Sequence, residues 1–119
     1  MSYIPRQLEE ERNEFDQRQL QKILETIDSY RRTKVSLGIL IGNLSIADLI
    51  HNSNTQWKQQ IEELKMELFD IDSDIAIAYE DGKRITLTPT PQEQQKIDSL
   101  LEQITKLVVQ LQKTFHEKV

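Results

Sequence analysis

The sequence predicts an all-α fold, an antiparallel four-helix bundle or a close variant. Three observations carry this. Only three Gly and three Pro interrupt 119 residues, which suits long helices better than turn-rich sheets. Apolar residues recur at helical spacing in four stretches, about 6–32, 36–51, 54–81 and 91–116. The connections between them are short, which favours antiparallel neighbours. The length is that of one domain, and no composition shift divides it.

The first helix, about 6–32, carries Leu8, Phe15, Leu20, Ile23, Leu24, Ile27 and Tyr30 as its stripe, strongest after Phe15. Its front half, Leu8 to Asp16, holds two apolar residues among many charges and is expected to face solvent or fray. Arg31, Arg32 and Lys34 close it at the negative end of its dipole. The second helix, about 36–51, opens at Ser36 as N-cap and is the most apolar, expected to be the most buried. Gly38 and Gly42, four apart on one face, are read as points of close helix approach.

The third helix, about 54–81, is capped by Ser53 or Asn54 and stopped by Gly82. Trp57, Ile61, Leu64, Leu68, Ile71, Ile75, Ala78 and Tyr79 share a core stripe. Glu63, Glu67, Asp70 and Asp74 gather about 110° from Trp57 into an acidic ridge. Met66, Phe69, Ser73 and Ile77 form a weaker apolar band nearly opposite the core. Two readings of that band stand open: packing inside the molecule, or a surface for a partner. Lys83 to Pro91 is a connector in which Ile85 to Thr88 alternates and suits a brief extended stretch. Thr90, Pro91 and Glu93 then announce the fourth helix as N-cap, first helical residue and capping-box partner. The expected core draws on Ile27, Leu40, Leu44, Trp57, Leu64, Leu68, Ile71, Leu101 and Leu111.

Charge is uneven. The chain carries a net −5, and residues 61–81 hold eight acidic residues against one basic. Acidic residues four apart repel along one helix, so the ridge, together with Glu80 and Asp81, is either a solvated face or a surface for a basic partner. Lys106, Lys113 or Arg31 are the cations expected to answer it from within. The negative field and the small basic cluster argue against nucleic acid. With no cysteine there is neither a disulfide framework nor a thiolate metal site. The carboxylates of the ridge lack the Glu-x-x-His pairs of di-iron bundles, and Asp70-Ile71-Asp72-Ser73-Asp74 has Ile75 where a calcium loop needs glycine. No glycine elbow or phosphate loop organises hydroxyl chemistry. His51 and His116 are read as C-terminal caps. The expectation is a protein without cofactor, metal or catalytic residues. No signal peptide or membrane span is read, and the cytoplasm is the expected compartment.

Tyr30-Arg31-Arg32, Val35-Ser36-Leu37, Leu40-Ile41-x-x-Leu44, Leu49, Trp57, Leu68 and Ala76-x-Ala78-Tyr79 together resemble small helical immunity proteins of bacterial contact-dependent inhibition and related toxin systems. The likeness runs from about residue 30 to 80. It implies neutralisation of a toxin domain, often a basic nuclease, by an acidic surface. The partner-binding residues expected on this reading are Glu63, Met66, Glu67, Phe69, Asp70, Asp74, Glu80 and Asp81. Self-association as an adaptor bundle, with a homodimer, is the competing expectation.

Overall fold

The structure, a computed structural model, describes residues 6–117, and the side chains of residues 8–115. It is all-α, a helical bundle. Helix α1 spans Arg6–Arg31, α2 Leu37–Asn43, a 3-10 segment Leu44–Leu49, α3 Thr55–Glu80 and α4 Pro91–Glu117. Helices α1 and α3 lie diagonally, each touching α4 on one side and the α2/3-10 segment on the other. Named contacts fix the directions. Thr26 meets Asn43 and Asp16 meets His51; an added Cβ at Gly38 would lie near Asp72, while Lys58 reaches Asp48; Tyr30 meets Gln94 and Trp57 meets Leu107. Every neighbouring pair therefore runs antiparallel. A helix of 26 or 27 residues is about 40 Å long, and the molecule measures 60 × 27 × 19 Å, so the helices are staggered.

One apolar cluster threads all these elements, with Leu20, Ile23, Leu40, Leu44, Leu68, Ile97, Leu101, Ile104 and Val108 almost wholly enclosed. Seven of the nine expected core residues are buried, and Leu64 and Leu111 pack against the cluster from its edge. Trp57 is both apolar filler and polar link. Its indole N–H donates to the Leu107 carbonyl at 3.0 Å, which satisfies a group that is costly to bury unpaired.

The predicted caps form. Ser36 accepts from the Ile39 N–H and Asn54 from the Trp57 N–H at 2.7 Å. Thr90 and Glu93 exchange both bonds of a capping box, at 2.8 and 3.2 Å. Helices α1 and α3 end in the same motif. Lys34 N–H reaches Ser29 O and Thr33 N–H reaches Tyr30 O; Lys83 N–H reaches Ala78 O and Gly82 N–H reaches Tyr79 O. Both use a left-handed residue at the turn, Gly82 at φ 72 and Thr33 at φ 59.

Four expectations are corrected. The second helix is not one helix over 36–51: after Asn43 it tightens into a 3-10 segment. Gly42 and Asn43 are poor helix formers, and the buried residues Ile41, Leu44, Ala47 and Ile50 recur every third position, a spacing that stays on one face only at three residues per turn. Gly38 and Gly42 are not points of close approach, since a Cβ on Gly38 would make ordinary contact and one on Gly42 would meet nothing within 4 Å. Tyr79 leaves the core stripe and is 46% exposed, because α2 reaches only to Leu37, about the level of Ile75. The connector is a series of bends, with no strand among its residues. Arg84 gathers it by donating to the carbonyls of Thr86 and Thr88 and to Glu93 at 2.9 Å.

The front of α1 also departs from expectation. Leu8 to Glu11 are exposed, but Asp16 is fully enclosed. Its carboxylate accepts the backbone N–H groups of His51 and Asn52, both at 2.9 Å, while the His51 ring Nδ1 lies 3.2 Å away. His51 therefore does not cap the second helix; its ring serves Asp16 and meets Phe15 edge-on at 5.2 Å. The His116 side chain lies outside the described residues.

Candidate functional site: the outward face of α3

The core stripe of α3 points inward, and its two flanks lie against α4 and α2. Glu63, Glu67, Asp70 and Asp74 are exposed along the α4 side, where Glu63 and Glu67 border a groove opposite Gln103, Lys106 and Gln110. The α2 side carries Lys58, Lys65 and Asp72. Between these edges, facing away from the bundle, stand Met66 at 45%, Phe69 at 48% and Ile77 at 56% exposure, with Ser73 half-buried. Of the two readings of this band, packing inside the molecule is excluded, because α3 has no neighbour on that side among the described residues. Glu80 and Asp81 are exposed at the end of the helix, where the Asp81 backbone N–H closes the last turn on Ile77 O at 2.9 Å.

The expected internal cations do not answer the ridge. Lys106 shares the groove with Glu63 and Glu67 but pairs with Glu102 on its own helix, at 3.6 Å. Among the described residues Arg31 and Lys113 form no ion pair with the ridge, and the one pair on α3 is Lys65 with Glu62, at 2.7 Å. Glu63 accepts only a long 3.4 Å bond from Gln59. Glu67, Asp70 and Asp74 thus present unneutralised carboxylates beside an exposed apolar row. Among the described residues no three His, Asp or Glu side chains converge in a way that would hold a metal ion.

A second concavity escaped the sequence. A cleft of about 1140 Å³ opens where the end of α1, the start of α2, Ile75 of α3, the turn at Leu87 to Pro89 and the first half of α4 meet. On its wall the Tyr30 hydroxyl donates to Gln94 at 3.3 Å, and Gln94 donates to Asp98 at 2.9 Å. Burial raises the Tyr30 pKa, the Gln94 bond opposes that, and the charges of Asp98 and Asp72 add to the rise. Arg31 and Lys34 stand on the same rim as Asp98 and Glu102, so the cleft selects neither sign of charge. The Thr105 hydroxyl is spent on Leu101 O of its own helix, and no nucleophile there meets a base. Five chain segments build this cleft, and no local pattern announces it.

No helix among the described residues is long and apolar enough to cross a membrane. Compared with protein-family models, with curated proteins and with solved structures, the chain finds no match.

Proposed function

We propose that the protein is a non-catalytic immunity or antitoxin-like protein of the cytoplasm that neutralises a basic toxin domain, a nuclease being one candidate, through the acidic face of α3. The observation that carries this reading is the unanswered row Glu67, Asp70 and Asp74 beside exposed Met66 and Phe69. Long-range attraction from such a row speeds encounter, and the adjacent apolar side chains slow dissociation. The resemblance over residues 30–80 supports the same reading. Its test is calorimetric titration of the protein against the product of an adjacent gene. Complex formation that weakens with salt and with Asp70→Lys is expected, and absence of binding at every salt concentration refutes the proposal.

A second reading, self-association as an adaptor, is favoured by the exposed apolar row alone. Sedimentation of the isolated protein decides it: a monomer unaffected by Met66→Lys and Phe69→Lys removes it.

A further inference from the structure

Met66, Phe69 and Ile77, each about half exposed, present together on the order of 300 Å² of apolar area, well short of the roughly 800 Å² per partner of a stable interface. Whatever covers this face must therefore also use the charged rows beside it. A second copy fits poorly. In an antiparallel pair of α3 helices like flanks meet, so acidic row would face acidic row. In a parallel pair the acidic row would face the α2 edge, where Lys65 is committed to Glu62 at 2.7 Å and Lys58 to the Asp48 carbonyl at 3.3 Å. The apolar positions 66, 69, 73 and 77 and the acidic positions 63, 67, 70 and 74 run side by side for about 20 Å. The shape complementary to two parallel rows on a helix is another helix bearing the same two rows with opposite charge.

Deepening the reading above, on whose basic partner this rests, we propose that the outward face of α3 docks an amphipathic, arginine-bearing helix of the partner protein. Its apolar row lies on Met66, Phe69, Ser73 and Ile77, and its cations meet Glu63, Glu67, Asp70 and Asp74. Half-buried Ser73, lacking a bulky side chain, sits mid-row and lets the two axes approach. Arginine is specified by the groove of about 430 Å³ along the α4 edge. Leu64 and Leu107 form part of its lining, Glu63 and Glu67 stand on one wall, Gln60 and Gln103 add amide oxygens, and Lys106 on the α4 wall is held by Glu102 of its own helix at 3.6 Å. A guanidinium has two weakly hydrated faces for such an apolar surface and five donors for such walls, whereas an ammonium is a strongly hydrated point charge.

The probe is a labelled synthetic helix of about 18 residues, or five turns, carrying one leucine row and one flanking arginine row, titrated by fluorescence anisotropy. Saturable one-to-one binding is expected. It should weaken about tenfold or more with Phe69→Lys or with Asp70→Lys and Asp74→Lys together, both at exposed positions, and for a permuted peptide of the same composition. A lysine-for-arginine peptide should also bind more weakly; equal affinity overturns the assignment to arginine. Equal binding of the permuted peptide, or no effect of Phe69→Lys, overturns the docking proposal, as does a dimer in sedimentation that Phe69→Lys abolishes. A toxin domain bound tightly but insensitive to Phe69→Lys and sensitive to Asp70→Lys would refute helix docking and leave the immunity reading standing. Peptide binding with no toxin complex would do the reverse.

Discussion

Replacing Thr33 by glycine should stabilise the protein. Thr33 occupies the left-handed position that ends α1, with φ 59, and a β-branched side chain there crowds its own backbone. The left-handed conformation costs an L-residue about 1–2 kcal/mol, while glycine adopts it freely but gives back about 0.5–1 kcal/mol through a looser unfolded chain. The Thr33 hydroxyl bond to the Arg32 carbonyl, 2.6 Å and exposed, adds little in water. The net gain for Thr33→Gly is about 1 kcal/mol, or a rise of about 3–5 °C in Tm. Gly82 supplies the mirror test, because it ends α3 with the same two hydrogen bonds at φ 72 and a Cβ there would meet nothing within 4 Å. Gly82→Thr therefore adds conformational strain without a clash and should destabilise by about 1 kcal/mol. Urea unfolding followed by far-UV circular dichroism and by Trp57 emission reads both. Opposite signs are required: a Thr33→Gly midpoint at or below that of the parent refutes the reasoning.

Two further perturbations test what holds the ends of the bundle. Asp16→Ala removes the charged acceptor of the His51 and Asn52 N–H groups and should lower stability by about 2 kcal/mol, with Asp16→Asn, which retains one acceptor oxygen, falling between; equal urea midpoints for Ala and the parent would contradict it. The Glu93 carboxyl is held below its ordinary 4.5 chiefly by the Thr90 N–H, against partial burial and with help from Arg84. A depressed folded pKa contributes stability above 4.5 that disappears as pH falls through the folded value, so the deficit of Glu93→Gln should shrink in acid. Urea midpoints from about pH 6 down to about pH 3 measure this, and a deficit constant with pH refutes it.

The parts of the fold legible in the sequence were those set by local chemistry. Asn54 and Thr90 mark their helix starts because a side-chain oxygen must answer free N–H groups within a turn, and Gly82 marks a stop because only glycine takes that backbone freely. Thr33 ends α1 in the same conformation with no such mark, since threonine is not a residue that favours it. The third-residue spacing of Leu44, Ala47 and Ile50 was a readable sign of the 3-10 segment, masked by the surrounding excess of Ile and Leu. Asp16 was unreadable: its partners are backbone groups 35 and 36 positions away, and nothing in a charged helix start distinguishes a buried carboxylate from its solvated neighbours. On α3 the acidic and apolar rows follow from helix geometry, but whether Met66 and Phe69 were covered depended on which helices flank them, which is topology.

Burying Asp16 has a consequence for which fold the chain selects. Leucine and isoleucine stripes on α1 and α4 would still find apolar company if α1 slid along the bundle by a turn, because such surfaces are nearly self-similar at that step. A carboxylate is not so forgiving. Displaced by one turn, about 5.4 Å, it would lose both amides, each a hydrogen bond to a charged group worth about 1.5–3 kcal/mol. Asp16 therefore acts as an index pin: it contributes to the choice among packings that the greasy residues alone would leave nearly equal in energy.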